Sequence, residues 1–301
     1  MQQDPCVFYS SLEHALDTID ASHSRQDPQQ WVDYSTRNPS FRNQAISIPA
    51  SKKWAESLSD FVGYCRHFDA PYLPERVERI ARLSEDLDAC GLEASSVKRQ
   101  QIWTRQGSRV NPHRVLRGQL STAWRRTVRV ARSSVQGRII VVLPLAYSHY
   151  ITPEHIAWNT AATLTLVSLA KQAGRNVTLY GVDHSLSAYE NSPTGTLCIP
   201  LLTSDSVWSI HNTALTTSAA FCRRICFRLF EIGQPEHGPI SACYGFPADK
   251  NTLKTWVEST LASHVGIPAT ACYIGPVQED KIDSLEHARV WLESQLTRLN
   301  S

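Results

Sequence analysis

The sequence predicts an α/β protein, in which a mostly parallel sheet lies between two layers of helices and follows a helical N-terminal region. Three observations predict this three-layer fold class. A continuous β-branched and aliphatic run covers 138–145, four further strand-like runs follow it, and amphipathic helical patterns separate most of them. Strands that alternate with helices form parallel sheets covered on both faces. The 301 residues are 42% hydrophobic, which is enough apolar material for such a core.

The first 97 residues show three amphipathic helical patterns separated by polar loops. The first follows Ser10–Glu13, where a serine and a glutamate three residues later can satisfy free backbone N–H groups. The apolar stripes consist of Leu12, Ala15, Leu16 and Ile19, then Trp54, Leu58, Phe61, Val62 and Cys65, and finally Val77, Ile80, Leu83 and Leu87. The polar stretch 20–43 is predicted to be a loop. The three helices need an apolar surface to pack on.

The strands and helices of the second half are marked by clear boundaries. Arg138–Leu145 is predicted to be a central strand, because its apolar run suits burial on both faces. Thr152 can cap the next helix, Pro153 suits its first position and Gly174 ends it. A right-handed crossover then leads to a parallel strand at 177–183. The strand 196–202 is expected at the sheet edge because of Pro200. The remaining predicted elements are a helix at 213–230, a strand at 240–246, a helix at 252–264, a strand at 269–275 and a helix at 285–299.

Composition predicts a soluble, cytoplasmic protein. The chain has no run of about 20 apolar residues, as a bilayer span requires, and its N-terminus lacks the basic start and apolar run of a secretory signal. Its eight cysteines are scattered and form neither a disulfide framework nor paired zinc knuckles, which indicates a reducing compartment. Cys222 and Cys226 are four residues apart on a predicted helix and are interpreted as small core residues.

The most unusual feature is a basic segment. Residues 98–138 contain eleven Lys and Arg residues and no Asp or Glu, so the net charge of +2 leaves −9 for the rest of the chain. This divides the chain into a helical region at 1–97, a basic connecting segment at 98–137 and an α/β domain at 138–301. Arginines interleaved with aromatic residues can bind phosphates and stack on bases. They can also bind acidic surface of the same chain or of a partner. The candidate contacts are Arg105, Arg109, Arg114, Arg117, Trp124, Arg125, Arg126 and Arg129.

No set of catalytic residues stands out. In an open parallel sheet, ligands lie at the carboxyl ends of the strands, which directs attention to the loop 145–150. The chain lacks G-x-G-x-x-G, G-x-x-x-x-G-K-[ST] and G-x-S-x-G, so no cofactor is predicted. Ser148, His149 and Asp183 could form a hydrolytic trio, but adjacent side chains on an extended loop point apart. The same objection applies to His155, His211 and Asp205, because eleven histidines in 301 residues place some of them at strand ends by chance.

The order of elements from about Arg138 to Leu299 resembles a von Willebrand factor A (vWA)-like domain. It also resembles an uncharacterised vWA-like family common in bacteriophage genomes, through Val115–Gly118 and Phe221–Phe227. The resemblance implies a metal loop of the form Asp-x-Ser-x-Ser after the first strand. Here that loop contains Ala146, Tyr147 and Ser148, and no register supplies the aspartate. The metal site is therefore predicted to be degenerate and to hold no Mg²⁺.

The resemblance implies a noncatalytic protein-interaction module. Many bacterial and phage proteins of this kind resemble adaptors of MoxR-type AAA+ ATPases, so the expected partner is another protein, such as a ring ATPase. Two alternatives remain open at this point. One is a nucleic-acid-binding protein that uses the basic segment, and the other is a hydrolase that uses the strand-end loop. No membrane partner is expected, and a phage-encoded protein would act in the host cytoplasm.

Overall fold

A computed structural model describes residues 6–22, 57–92, 97–104, 109–110, 112–119, 123–131, 137–148, 151–186, 195–203, 209–233 and 246–300. The strands in these ranges are β1 (Cys6–Phe8), β2 (Val97–Thr104), β3 (Arg109–Val110), β4 (Trp124–Ala131), β5 (Arg138–Pro144), β6 (Asn176–Leu186), β7 (Gly195–Leu202), β8 (Phe246–Pro247) and β9 (Cys272–Ile274). The helices are α1 (Leu12–Ala21), α2 (Leu58–His67), α3 (Leu73–Ala89), α4 (Pro112–Leu116), α5 (Pro153–Gln172), α6 (Ile210–Thr216), α7 (Ala219–Phe221), α8 (Phe227–Gly233), α9 (Lys250–Trp256), α10 (Ala262–Val265) and α11 (Leu285–Asn300). Two π-helices, Cys222–Cys226 and Val257–Leu261, join α7 to α8 and α9 to α10.

The main sheet has the order β1–β7–β6–β5–β9, with the short β8 paired to β6. β5 lies between β6 and β9 and is parallel to both, which confirms the predicted central strand. Successive residues of β5 lie in different cores. Ile139 and Val141 belong to the core that contains α5 and α11, whereas Ile140 and Val142 belong to the core that contains α9 and α10. Helices therefore cover both faces, and the predicted three-layer α/β fold is confirmed.

The prediction that 196–202 forms an edge strand is wrong for its first half. β7 pairs antiparallel with β6 and, through Thr196–Cys198, parallel with β1. A three-residue strand far away at the N-terminus carries too little pattern to reveal this pairing. Pro200 lies beyond the register with β1, and the register with β6 shifts between Leu179 and Tyr180 beside it. The proline is thus tolerated where the hydrogen-bonded ladder is irregular.

Several predicted boundaries shift. The second strand was expected to end at Asp183 but continues to Leu186, where its last two residues pair with β8. The predicted strand at 240–246 falls mostly outside the described residues, which resume with β8 at Phe246. Of the predicted strand at 269–275, the first three residues form a 3-10 turn and Cys272–Ile274 form β9.

Helix α5 begins and ends where its boundary residues predict. The Thr152 side chain accepts a hydrogen bond from the His155 N–H, Pro153 occupies the first turn, and Gly174 adopts a positive φ of 78° just after the helix. Burial exceeds the predicted stripe, because α3 and α11 pack on α5 in addition to the sheet. The apolar faces of α1, α2 and α3 lie in the same core as α5. That core is the surface that these helices were expected to need.

The basic segment contains a second sheet, which the sequence did not predict. β2, β4 and β3 are antiparallel in that order, with β4 in the centre. The short helix α4 lies in the connection between β3 and β4. Among the described helices, none is long and apolar enough to cross a membrane.

Candidate functional site

The loop after β5, predicted as a degenerate metal site, is bound to neighbouring elements through two of its backbone N–H groups. The Leu145 N–H donates to the Val182 carbonyl at 2.8 Å, and the Ser148 N–H donates to Oε1 of Gln278 at 3.3 Å. These bonds fasten the loop to β6 and to the 3-10 turn Gln278–Asp280. Ala146, Tyr147 and Ser148 are all half-buried. The loop is therefore packed against its neighbours.

A small cleft opens beside this loop, at the carboxyl ends of β5 and β6. Ala146, His184 and Gln278 are among its lining residues, and no carboxylate is among them. The His184 ring lies 2.6 Å from the Thr196 hydroxyl through Nδ1 and stacks on Trp256, with ring centroids 5.7 Å apart. In the described part of the chain, no group of three or more His, Cys, Asp and Glu residues could hold a metal ion. This donor set does not fit Mg²⁺, which prefers carboxylate oxygens.

Asp183 is a fully buried carboxyl group near the carboxyl end of β6. The Ser185 hydroxyl donates to its Oδ1 at 2.7 Å, and the Cys222 thiol donates to its Oδ2 at 3.5 Å. Cys222 begins a π-helix, a local widening that is frequent at functional sites. Cys226, at the end of the same π-helix, is fully buried, as the core interpretation of the two cysteines predicted. Cys222 differs, because it is half-buried and bonds the acid.

Burial gives Asp183 an unusual titration. Desolvation raises the pKa of its carboxyl group from 3.8 to about 6, although the bonds from Ser185 and Cys222 act in the opposite direction. A carboxyl group whose pKa is higher in the folded state binds its proton more tightly there than in the unfolded chain. Above about pH 4 the unfolded chain ionises first, so rising pH favours unfolding until the folded pKa is passed.

We expect this group to lower the free energy of unfolding by about 2 to 3 kcal/mol between about pH 4 and pH 7. Asp183→Asn keeps the shape of the side chain and removes the charge. The variant should therefore match the wild type near pH 4 and be more stable near pH 7. Urea unfolding of both proteins across this range measures the difference. If the gap between the two proteins stayed constant with pH, Asp183 would not be titrating as a buried acid.

Arg76 is a half-buried cation on α3 whose charge interacts with Tyr147 of the strand-end loop. Arg76 of α3 donates to the carbonyls of Ala214 and Thr217 at 2.8 and 2.9 Å, and to the Thr217 hydroxyl at 2.9 Å. Desolvation lowers the pKa of its guanidinium to about 10, and Tyr147 of the loop lies close enough to oppose this shift. Burial in turn raises the pKa of Tyr147 to about 12. The N-terminal helices thus contribute a charged group to the carboxyl end of the sheet, which the sequence did not reveal.

Of the proposed hydrolytic trio, Ser148 and Asp183 lie within the described residues, and no hydrogen bond joins them there. The hydrogen-bond partners of Asp183 there are Ser185 and Cys222. His149 and Asp205 lie outside the described residues. His155 contacts the Thr152 hydroxyl at 2.7 Å, and His211 is exposed with its ring edge against Phe68. The hydrolase alternative gains no geometric support from these contacts.

The second sheet sorts the basic residues by strand register. Directly opposite pairs share a face of an antiparallel sheet, and alternate positions of a strand share a face as well. The pairs Arg99 with Arg129, Trp103 with Arg125, and Arg109 with Arg125 therefore fall on one face. We call the positions Arg99, Trp103, Arg109, Arg125 and Arg129 the basic face. It joins residues up to 30 positions apart in sequence.

The predicted contact residues divide between several places. Arg109, Arg125 and Arg129 lie at positions of the basic face, whereas Arg126 and Trp124 occupy alternate positions of β4 and so belong to the opposite face. The remaining three are Arg105, outside the described residues, Arg114, half-buried on α4, and Arg117, exposed just after it. Arg99 and Trp103 were not predicted as contacts, because only the register with β4 connects them to the others.

A model of a protein family described as a domain of unknown function (DUF7192) matches residues 7–300. No curated protein and no solved structure matches the chain. The match begins within β1 and ends with α11. The N-terminal helices, the basic segment and the α/β fold therefore fall within one family.

Proposed function

The chain belongs to the DUF7192 family, and we propose that it is a noncatalytic nucleic-acid-binding protein whose basic face contacts phosphates. The observation that carries this proposal is the register of the second sheet. Arg99 pairs directly with Arg129, and Arg109 pairs directly with Arg125. Like charges directly opposite each other destabilise an antiparallel sheet. A polyanion lying across these pairs would offset that repulsion.

The residues around the basic face favour a ligand that carries a row of negative charges. The whole segment 98–138 contains no acidic residue, so the arginines have no acidic neighbour along their own strands. Trp103 shares the face, and an aromatic residue among arginines suits stacking on bases as well as neutralising phosphates. Arginine also forms bidentate bonds with phosphate oxygens. Nucleic acid combines both of these chemistries.

Two other interpretations stay predictions. The arginines could pair with acidic groups of the same chain, whose remainder carries −9. The vWA-like resemblance also predicts an adaptor that binds another protein such as an AAA+ ATPase. Nucleic acid is preferred to both, because it also accounts for Trp103, which shares the face with the arginines.

The salt dependence of binding tests the proposal. Four phosphate contacts should make the logarithm of the affinity for DNA fall with the logarithm of the salt concentration with a slope of about 3. Fluorescence anisotropy with labelled single-stranded and duplex DNA, measured across a salt series, gives this slope. Arg82→Gln, on the exposed side of α3, is a matched control and should leave the slope unchanged. If neither single-stranded nor duplex DNA were bound with salt-dependent affinity, the proposal would be contradicted.

A further inference from the structure

Several exposed apolar side chains lie in the chain segment that contains β3 and α4. Among the described residues, five large hydrophobic side chains are exposed, and three of them are Val110, Val115 and Leu116. Leu116 is the most exposed of the five, at 84%. Such side chains mark interaction sites when they cluster. The other two, Leu285 and Val290, lie on α11.

Local structure fixes the position of Leu116. It is the last residue of α4, a helix that begins at Pro112, where the fixed φ of proline suits the first turn. Gly118 then adopts a φ of 70°, which glycine permits. The Gly118 N–H donates to the Val115 carbonyl and the Gln119 N–H donates to the Arg114 carbonyl, both at 2.9 Å. These two hydrogen bonds close the turn at the end of α4, and the Leu116 side chain is exposed at this turn. We call residues 115–118 the corner.

The charge around this corner restricts what can cover it. Arg117 follows directly and is exposed, and β3 and β4 lead from the corner to the basic face. An apolar tip within a positively charged segment fits a partner with an anionic exterior and an apolar interior. A nucleic-acid duplex has this construction, because stacked bases lie between two phosphate backbones.

We propose that Leu116 is a wedge that inserts between stacked base pairs of double-stranded DNA, an inference that rests on the proposed function. Apolar side chains of this kind unstack a base step and kink the duplex when cations hold the adjoining backbones. The basic face supplies the cations and α4 supplies the wedge. An anionic membrane is the other partner with a charged exterior and an apolar interior. Surface-bound membrane helices present a long apolar face, whereas α4 has five residues, and Val115 and Leu116 are the exposed apolar side chains among those of its residues whose side chains the structure describes.

A mismatch preference tests the wedge. A central mismatch lowers the cost of unstacking, so the wild type should bind a mismatched duplex of about 20 base pairs about tenfold more tightly than the matched duplex. Leu116→Ala should bring this ratio to about one while leaving the salt slope unchanged, because the phosphate contacts remain. Leu116→Phe should keep the ratio, and Val290→Ala serves as an exposed apolar control on α11. Melting curves of each variant establish that the fold is intact.

The outcomes separate the two proposals. If the wild type shows no salt-dependent binding to single-stranded or duplex DNA, the proposed function fails and the wedge fails with it. Salt-dependent binding to single strands alone would leave the proposed function standing and overturn the wedge. If Leu116→Ala retains the full mismatch preference, or if the wild type has none, the wedge is wrong while phosphate binding stands. Sedimentation with phosphatidylserine vesicles that depends on Leu116, in the absence of a mismatch preference, would assign the corner to a membrane and overturn the wedge.

Discussion

Neutralising two arginines of the basic face is expected to remove most of the affinity for DNA. Arg125 and Arg129 belong to the central strand of the second sheet and face Arg109 and Arg99 across it. Losing two phosphate contacts should lower the salt slope by about 1.6, which corresponds to an affinity about fortyfold weaker at 0.1 M salt. Anisotropy titrations of Arg125→Gln/Arg129→Gln measure both quantities.

The same strand offers a matched control for this result. Arg126 neighbours Arg125 in sequence, but its register position places it on the opposite face. Arg126→Gln should therefore leave the slope close to that of the wild type. If all three arginines contributed equally, general charge rather than the basic face would explain the binding.

A melting curve of the double variant distinguishes two roles for these arginines, which are binding nucleic acid and pairing with acidic groups of the protein itself. If Arg125 and Arg129 bind acidic groups of the protein itself, neutralising them leaves those groups without partners and lowers stability. If these arginines bind phosphates instead, neutralising them should not lower the stability of the free protein. Removing like charges that face each other across a sheet should leave the melting temperature unchanged or raise it slightly.

The parts of the fold that the sequence predicts are those encoded by local pattern. β5 follows from an uninterrupted apolar run, and α5 follows from Thr152, Pro153 and Gly174 at its ends. Each of these signals lies within a few residues of the element that it defines. The pairing of β1 with β7 is different, because it joins residues 190 positions apart and depends on the tertiary structure.

The candidate site was only partly predictable for the same reason. The abundance of arginine in 98–138 is a local property and was recognised. The division of these arginines between two faces depends on strand register, which composition does not determine. The sequence indicated Asp183 as the acid of a possible hydrolytic trio, but its bond to Cys222 requires the π-helix to pack on β6. Arg76 was not singled out, because its partners Ala214 and Thr217 lie about 140 positions away in sequence.

The second large effect is expected in β5, where neighbouring residues belong to different cores. Ile139 is 4% exposed and packs in the core with α5, whereas Ile140 is fully buried in the core with α9 and α10. Replacing either with alanine should lower the free energy of unfolding by about 2 to 4 kcal/mol, because each change loses apolar burial and leaves a cavity. Denaturant unfolding of the two single variants measures these costs.

Both substitutions must be costly for the three-layer fold to hold. In a sheet covered on one face only, adjacent residues of a strand would differ, because one of them would face solvent. A nearly neutral Ile140→Ala would mean that α9 and α10 do not cover the sheet, and a nearly neutral Ile139→Ala would say the same of α5. Arg138→Ala, at the exposed start of the same strand, is the control and should change stability by no more than about 0.5 kcal/mol. Equal, large losses at Ile139 and Ile140 beside a neutral Arg138→Ala would locate β5 between two packed layers of helices.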